Sequence, residues 1–258
     1  MSAGSGERLL SILDLFTEDH LEWTPQDMME VLGFSRPTLY RYLKVLKETG
    51  FLAPVHGAAY GLGPRFVEMD FLARQSDPLV TFGQDHLKYL SAQFPGTAFL
   101  VRWYGERSLC VASVSRDAMA RTSYPRGRPM PLLGGAASKA ILAFLPRRQR
   151  KILAQRPDAN RIATSEAEVQ EVFRTIRQDG FVVAHGEVTP GIVGSAAPVF
   201  DAGENPIASL CVSMEEADYS GIDHAALHSA LRAATKSISA AMADTQQPLA
   251  QKSVGEFT

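Results

Sequence analysis

The side chains best suited to chemistry in this chain are the basic ones between residues 35 and 47. Arg36, Arg41, Lys44 and Lys47 fall there with no acidic residue among them. Such a cluster suits phosphate contact, and a long guanidinium can also reach base edges. A solvated helix face would show the same charges, so their placement alone leaves both readings open. The flanking residues favour nucleic acid. Thr24-Pro25-Gln26-Asp27 supplies a cap, a proline for the first helical turn and an acid for the positive end of the dipole. Met28, Met29, Val31 and Leu32 are its apolar positions, and Gly33 can take the left-handed conformation that ends a helix. Ser35 caps a second helix, in which Leu39, Leu43, Val45 and Leu46 alternate with the basic residues until Gly50. Runs 51–55 and 60–62 flank a turn at 56–59. Helix, turn, basic helix and hairpin predict a winged helix-turn-helix. Its second helix would enter a DNA major groove with Ser35, Arg36, Pro37, Thr38, Tyr40, Arg41 and Lys44 as the contacting set.

Other residues invite other chemistry. Gly134-Gly135-Ala136-Ala137-Ser138 opens a helix, whose free N–H groups favour an anion; close helix–sheet packing explains the same small residues equally well. Ser138 with Lys139 suggests a nucleophile and a base, but adjacent helical residues point apart. His185 with Glu187 suggests an acid/base pair, with nothing to supply a nucleophile or cofactor. No catalytic residue, metal or cofactor is expected. Cys110 and Cys211 both lie in apolar, strand-like runs, so buried thiols are expected, and no CxxC or Cys/His cluster points to a metal.

These groups need a scaffold. A chain of 258 residues can bury one large core or two ordinary ones. The formal charge of −2 excludes a globally basic binder, and residues 1–74 hold seven Lys/Arg against ten Asp/Glu, so positive charge is local to the second helix. No run approaches the ~18 apolar residues of a membrane span, and the start lacks a signal-peptide pattern. With two cysteines, a reduced cytoplasmic protein is expected.

Residues 8–16 read as a first helix, 65–73 as a connecting helix with more apolar residues than one small domain can cover, and 79–94 as another helix. Strands are expected at 97–104, 108–114, 181–184, 192–200 and 206–213, and helices at 136–145, 166–178 and 222–242. The fold class is α+β: a winged helix-turn-helix over 1–64, a linker helix over 65–76, an antiparallel sheet flanked by helices over 77–245, and a disordered tail over 246–258.

Residues 8–16, Ser35-Arg36-Pro37-Thr38-Leu39-Tyr40-Arg41-Tyr42-Leu43, Glu48-Thr49-Gly50-Phe51-Leu52 and Tyr60-Gly61-Leu62-Gly63 resemble the N-terminal domain of IclR-family bacterial transcriptional regulators. The likeness continues through Met130-Pro131-Leu132, Ala136 to Ala143, Ile176 to Phe181, Gly186-Glu187, Pro190-Gly191 and Ala196 to Asp201. It implies that the second domain is a GAF-like sensor and that the 134–138 turn holds an effector carboxylate. The implied lining is Met119, Thr122, Met130, Ala136, Ala137, Ile192, Gly194, Cys211 and Ser213. It also implies a pseudo-palindromic operator and a homodimer or homotetramer. Where some relatives place a polar or acidic pocket residue, this chain has Ala184 followed by His185, and Gly194 is smaller than usual. Both changes point to a roomier, less polar pocket and an aromatic or otherwise bulky carboxylate. The wing turn carries only His56 where relatives carry Arg. The competing functions are an enzyme built on the second domain, and a DNA-binding scaffold without a working effector site.

Overall fold

A computed structural model describes residues 4–116, 125–155 and 166–246. The expected lining residues Met119 and Thr122 and the tail after 246 lie outside these. The chain divides between Asp77 and Pro78 into two compact units.

The first unit holds α1 (Ser5–Leu10), α2 (Pro25–Leu32), α3 (Arg36–Glu48), β1 (Leu52–Pro54), β2 (Tyr60–Leu62) and α4 (Arg65–Ser76). Thr24 caps α2 as expected, accepting the Asp27 N–H at 3.2 Å, and Gly33 ends it with φ +66°. The first expected helix is shorter than its apolar run. It stops at Leu10, the Ser11 hydroxyl takes the Arg8 carbonyl, and a 3₁₀ turn follows at Leu13–Leu15. The Trp23 indole N–H then takes the Leu15 carbonyl at 3.0 Å, satisfying a group the broken helix leaves open. Ile12, Met28, Leu39, Tyr42, Leu43, Leu46 and Leu52 form the core. Val31 and Val45, counted among the apolar positions of these helices, are exposed, because the buried stripes pass through Met28 and Tyr42.

The second unit holds α5 (Pro78–Gln93), β3 (Thr97–Trp103), β4 (Ser108–Ser115), α6 (Ala136–Leu142), α7 (Arg147–Ala154), α8 (Glu166–Asp179), β5 (Val182–His185), β6 (Ile192–Phe200), β7 (Pro206–Glu215), α9 (Glu216–Ser220) and α10 (His224–Gln246). Its five strands are antiparallel in the order β4-β3-β7-β6-β5. Strand alternation divides the apolar residues between two faces. On one face Leu100, Val199, Leu210 and Val212 pack with Leu87 of α5 and Leu231 of α10. On the other, Phe99, Val101, Ala196 and Cys211 pack with Ala140 and Ile141 of α6 and Phe173 of α8. Gly83 lets α5 sit on the first face, since a Cβ there would stand 2.3 Å from a Leu100 methyl.

Two helices of this unit end differently from the sequence reading, and two are new. Helix α6 ends at Leu142, where Pro146 has no N–H for the Leu142 carbonyl, and guanidinium groups of Arg150 and Arg177 take the Ala143 carbonyl at 3.1 and 2.7 Å. Helices α7 and α9 are additions; α7 has too few apolar residues for a clear period, and α9 is a single turn and a half. Helix α10 continues to Gln246, into the segment expected to be tail. Among the described residues no helix is long and apolar enough to cross a membrane.

Candidate functional site

Helix α3 buries Leu39, Tyr42, Leu43 and Leu46 and so turns the opposite stripe to solvent. Arg36, Pro37, Tyr40, Arg41 and Lys44 lie exposed on that stripe, with Ser35 just before it and Thr38 half-buried beside it. Ser35 has the extended backbone of a cap, but its hydroxyl donates to Thr38 Oγ1 at 3.0 Å and caps no backbone N–H. The expected cap is thus a hydroxyl pair at the helix start. The Arg36 guanidinium stands 5.5 Å from the Tyr40 ring centroid, and that of Arg41 5.2 Å from the Tyr42 ring. These contacts orient two planar, exposed guanidinium groups, that of Arg41 also bonding the Tyr42 side chain. Lys44 meets Glu48 at 3.9 Å, and both are exposed, so the pair is weak and easily exchanged for a phosphate. Residues 51–64, which include the wing, contain no Lys or Arg. Arg65, the first basic residue after the wing, is held by Glu68 at 2.7 Å.

The second unit contains a cavity, partly open to solvent, between the sheet and the start of α6. Register explains its wall. Phe99 on β3 faces Cys211 on β7, Ser213 faces Gly194 on β6, and Gly194 faces Ala184 on β5. Ile192 continues the wall along β6, while Met130, Ala136 and Ala137 close the opposite side. Seven of the nine lining residues implied by the family resemblance therefore surround one cavity. Both thiols on this face are neutral at physiological pH: burial pushes Cys110 up to about 11 and raises Cys211 further still. Among the described residues no group of three or more His, Cys, Asp or Glu is placed to hold a metal.

Gly135, Glu187, Val188 and Thr189 complete the lining and were not in the expected set. Gly135 precedes α6 with φ +79° and ψ 160°, a conformation open essentially to glycine. A Cβ there would stand 2.7 Å from Val188 Cγ2. Glu187 uses both carboxylate oxygens: Oε2 accepts the Gly135 N–H at 2.9 Å and Oε1 accepts Lys139 Nζ at 2.5 Å. The anion-favouring start of α6 is thus partly filled from within the chain. The next N–H groups, of Ala136 and Ala137, still precede any carbonyl four residues back within the helix. The 52-residue separation of Gly135 and Glu187 hides this contact from any local pattern.

The pairings considered for catalysis are separated or occupied. Ser138 is fully buried and donates its hydroxyl to the Pro131 carbonyl at 2.7 Å. Lys139 is held by Glu187. His185 Nδ1 lies 2.9 Å from Glu216 Oε1, and its ring stands edge-on to Tyr219, outside the cavity wall.

Comparison with known proteins agrees with both halves of this description. Residues 73–240 match the bacterial transcriptional regulator IclR C-terminal domain, and residues 5–56 the IclR helix-turn-helix domain. The chain is 26% identical over 240 residues to the HTH-type transcriptional regulator ArcR of Halobacterium salinarum, covering 85% of this chain and 91% of that one. Among solved structures, a transcriptional regulator from Rhodococcus sp. RHA1 superimposes with TM-score 0.78 at 25% identity, over 94% of this chain and 99% of that one. An IclR homologue from Microbacterium hydrocarbonoxydans, solved with 4-hydroxybenzoate, superimposes with TM-score 0.76 at 17% identity, over 93% and 99%.

Proposed function

The chain belongs to the IclR family of bacterial transcriptional regulators, and from that premise we propose that it reads a pseudo-palindromic operator through α3 and senses a small carboxylate in the cavity beside α6. It is a regulator and not an enzyme, as are the relatives described above. The convergence of Met130, Ala136, Ala137, Ile192, Gly194, Cys211 and Ser213 on one cavity carries the effector reading. The walls are mostly apolar, with a hydroxyl at Ser213 and, at Ala136 and Ala137, N–H groups that have no carbonyl partner within the helix, a combination that suits a carboxylate on an apolar body. The absence of a bulky residue at Gly194 favours an aromatic one, and 4-hydroxybenzoate on the Microbacterium homologue is an acid of that kind. Action on DNA implies a cytoplasmic protein.

At the DNA end, Arg36 and Arg41 reach guanine edges or phosphates, Ser35 and Thr38 suit phosphates, and Lys44 adds salt-dependent affinity. One winged helix makes too few contacts for high specificity, so the active form is a homodimer or a pair of dimers reading half-sites about one helical turn or more apart. Helix α4 supports this. Val67 and Phe71 lie one turn apart on one flank and Met69 and Leu72 on another, all exposed. A ligand can change DNA affinity only by preferring one of two such arrangements.

A single titration tests both ends: operator binding with and without a panel of aromatic carboxylates, in the parent, Arg36→Ala and Ser213→Ala. Arg36→Ala should cost about 1–3 kcal/mol and relax preference at one base position. Ser213→Ala should bind DNA like the parent but lose roughly 1–3 kcal/mol of effector affinity. An unaltered footprint in Arg36→Ala, or a parent-like effector response in Ser213→Ala, removes that residue from its site. A protein whose melting temperature and DNA binding ignore every acid in the panel would instead be the scaffold without a working effector site.

A further inference from the structure

Glu187 is the only charged side chain among the described residues lining the cavity. Its carboxylate cannot swing clear at low cost, because one oxygen holds the Gly135 N–H and the other the Lys139 ammonium. Breaking a pair this buried leaves an uncompensated charge. The two partners are placed asymmetrically. The Glu187 side chain is 25% exposed and forms part of the wall, whereas that of Lys139 is 7% exposed and lies behind it. A ligand therefore meets the negative member first, and the nearer charge dominates the field it feels.

Resting on the reading of this cavity as the effector site, we propose that Glu187 is a specificity-determining residue that rejects dianions and restricts the effector to a single negative charge. Two features strengthen the effect. The neutral thiol of Cys211 and the apolar walls supply no counter-charge, and a second carboxylate would enter a space where solvent screening is reduced. Each oxygen of Glu187 also retains acceptor capacity beyond its present bond, so a hydroxyl or amide N–H on the ligand is welcome where a carboxylate is not.

The test compares two probes of nearly the same shape, terephthalate and its monoamide, which differ by one charge. Calorimetry would measure both dissociation constants in the full-length parent and in Glu187→Gln. The parent should favour the monoamide, and Glu187→Gln should shrink that preference by roughly tenfold. A purely structural role for Glu187 would weaken both probes together and leave their ratio unchanged, which overturns the proposal. Should the single variant fail to fold around an unpaired Lys139, the double variant Lys139→Met with Glu187→Gln removes both charges. It should narrow the preference in the same direction, and an unchanged ratio there is equally fatal. If neither probe binds the parent and no acid alters its DNA binding, the cavity reading fails and this inference fails with it. A parent that binds both probes equally overturns the charge discrimination alone.

Discussion

Replacing Gly194 by alanine should make the protein more stable and its ligand bind less well. Gly194 lies inside β6, paired with Ala184 on one side and Ser213 on the other. Glycine in a strand interior costs about 0.5–1 kcal/mol relative to alanine, through the freedom it has in the unfolded chain. The native site accepts the methyl group: an ideal Cβ would stand 3.4 Å from Ala136 Cβ and 3.8 Å from Cys211 Sγ, ordinary contact, and the backbone is not left-handed. The gain should therefore appear nearly in full, as a rise of about 1–4 °C in melting temperature for a domain of this size. The same methyl group enters the cavity between the sheet and α6. Loss of fit for one methylene is worth about 1–3 kcal/mol, so an aromatic carboxylate should bind roughly 10–200-fold more weakly. Thermal unfolding gives the first quantity and calorimetry the second. Gly194→Leu carries the series further and should exclude aromatic acids before short ones such as pyruvate. A lower melting temperature in Gly194→Ala would mean that the site is already full. Unchanged aromatic binding in both variants would place the ligand elsewhere.

Lysine at Phe71 and Leu72 together should leave a monomer at micromolar concentration in sedimentation and abolish protection of a two-fold operator site, because both residues lie on the uncovered surface of α4; a dimer of unchanged strength would exclude α4 as the interface. His228 sets a pH dependence. Its Nε2 is buried without a partner, its ring stacks on Phe181 at 3.9 Å, and burial, with smaller contributions from His224 and Arg232, lowers its pKa from 6.5. A lowered histidine binds its proton more readily in the unfolded chain, so it contributes a loss of stability as pH falls through about 6.5 and none above. His228→Phe keeps the stack and should show a flatter melting temperature between about pH 7 and 5 than the parent, whereas parallel curves would refute the assignment.

The sequence determined the parts whose signals are local. Thr24 with Asp27, the left-handed Gly33 and Gly50, and the spacing of Leu39, Leu43 and Leu46 define α2 and α3 within a few residues of chain, so the basic face of α3 follows from helical periodicity alone. Alternation likewise marks the strands, and both cysteines are buried where their apolar neighbours place them. Tertiary structure decided which positions close the stripes. Val31 and Val45 are apolar and still exposed, because packing of α2 and α3 selects Met28 and Tyr42 instead. It also decided how the cavity is built. Strand register brings Phe99, Cys211, Gly194 and Ala184 side by side on one face of the sheet, and no local pattern specifies register between strands so far apart in the chain. Glu187 is the sharpest case. Its sequence neighbour His185 suggested an acid/base pair, yet it reaches Gly135 and Lys139, about fifty residues away, while His185 turns to Glu216. A partly buried carboxylate must find donors wherever the fold supplies them, and the start of α6 supplies them only once the sheet has brought the β5–β6 connection against it.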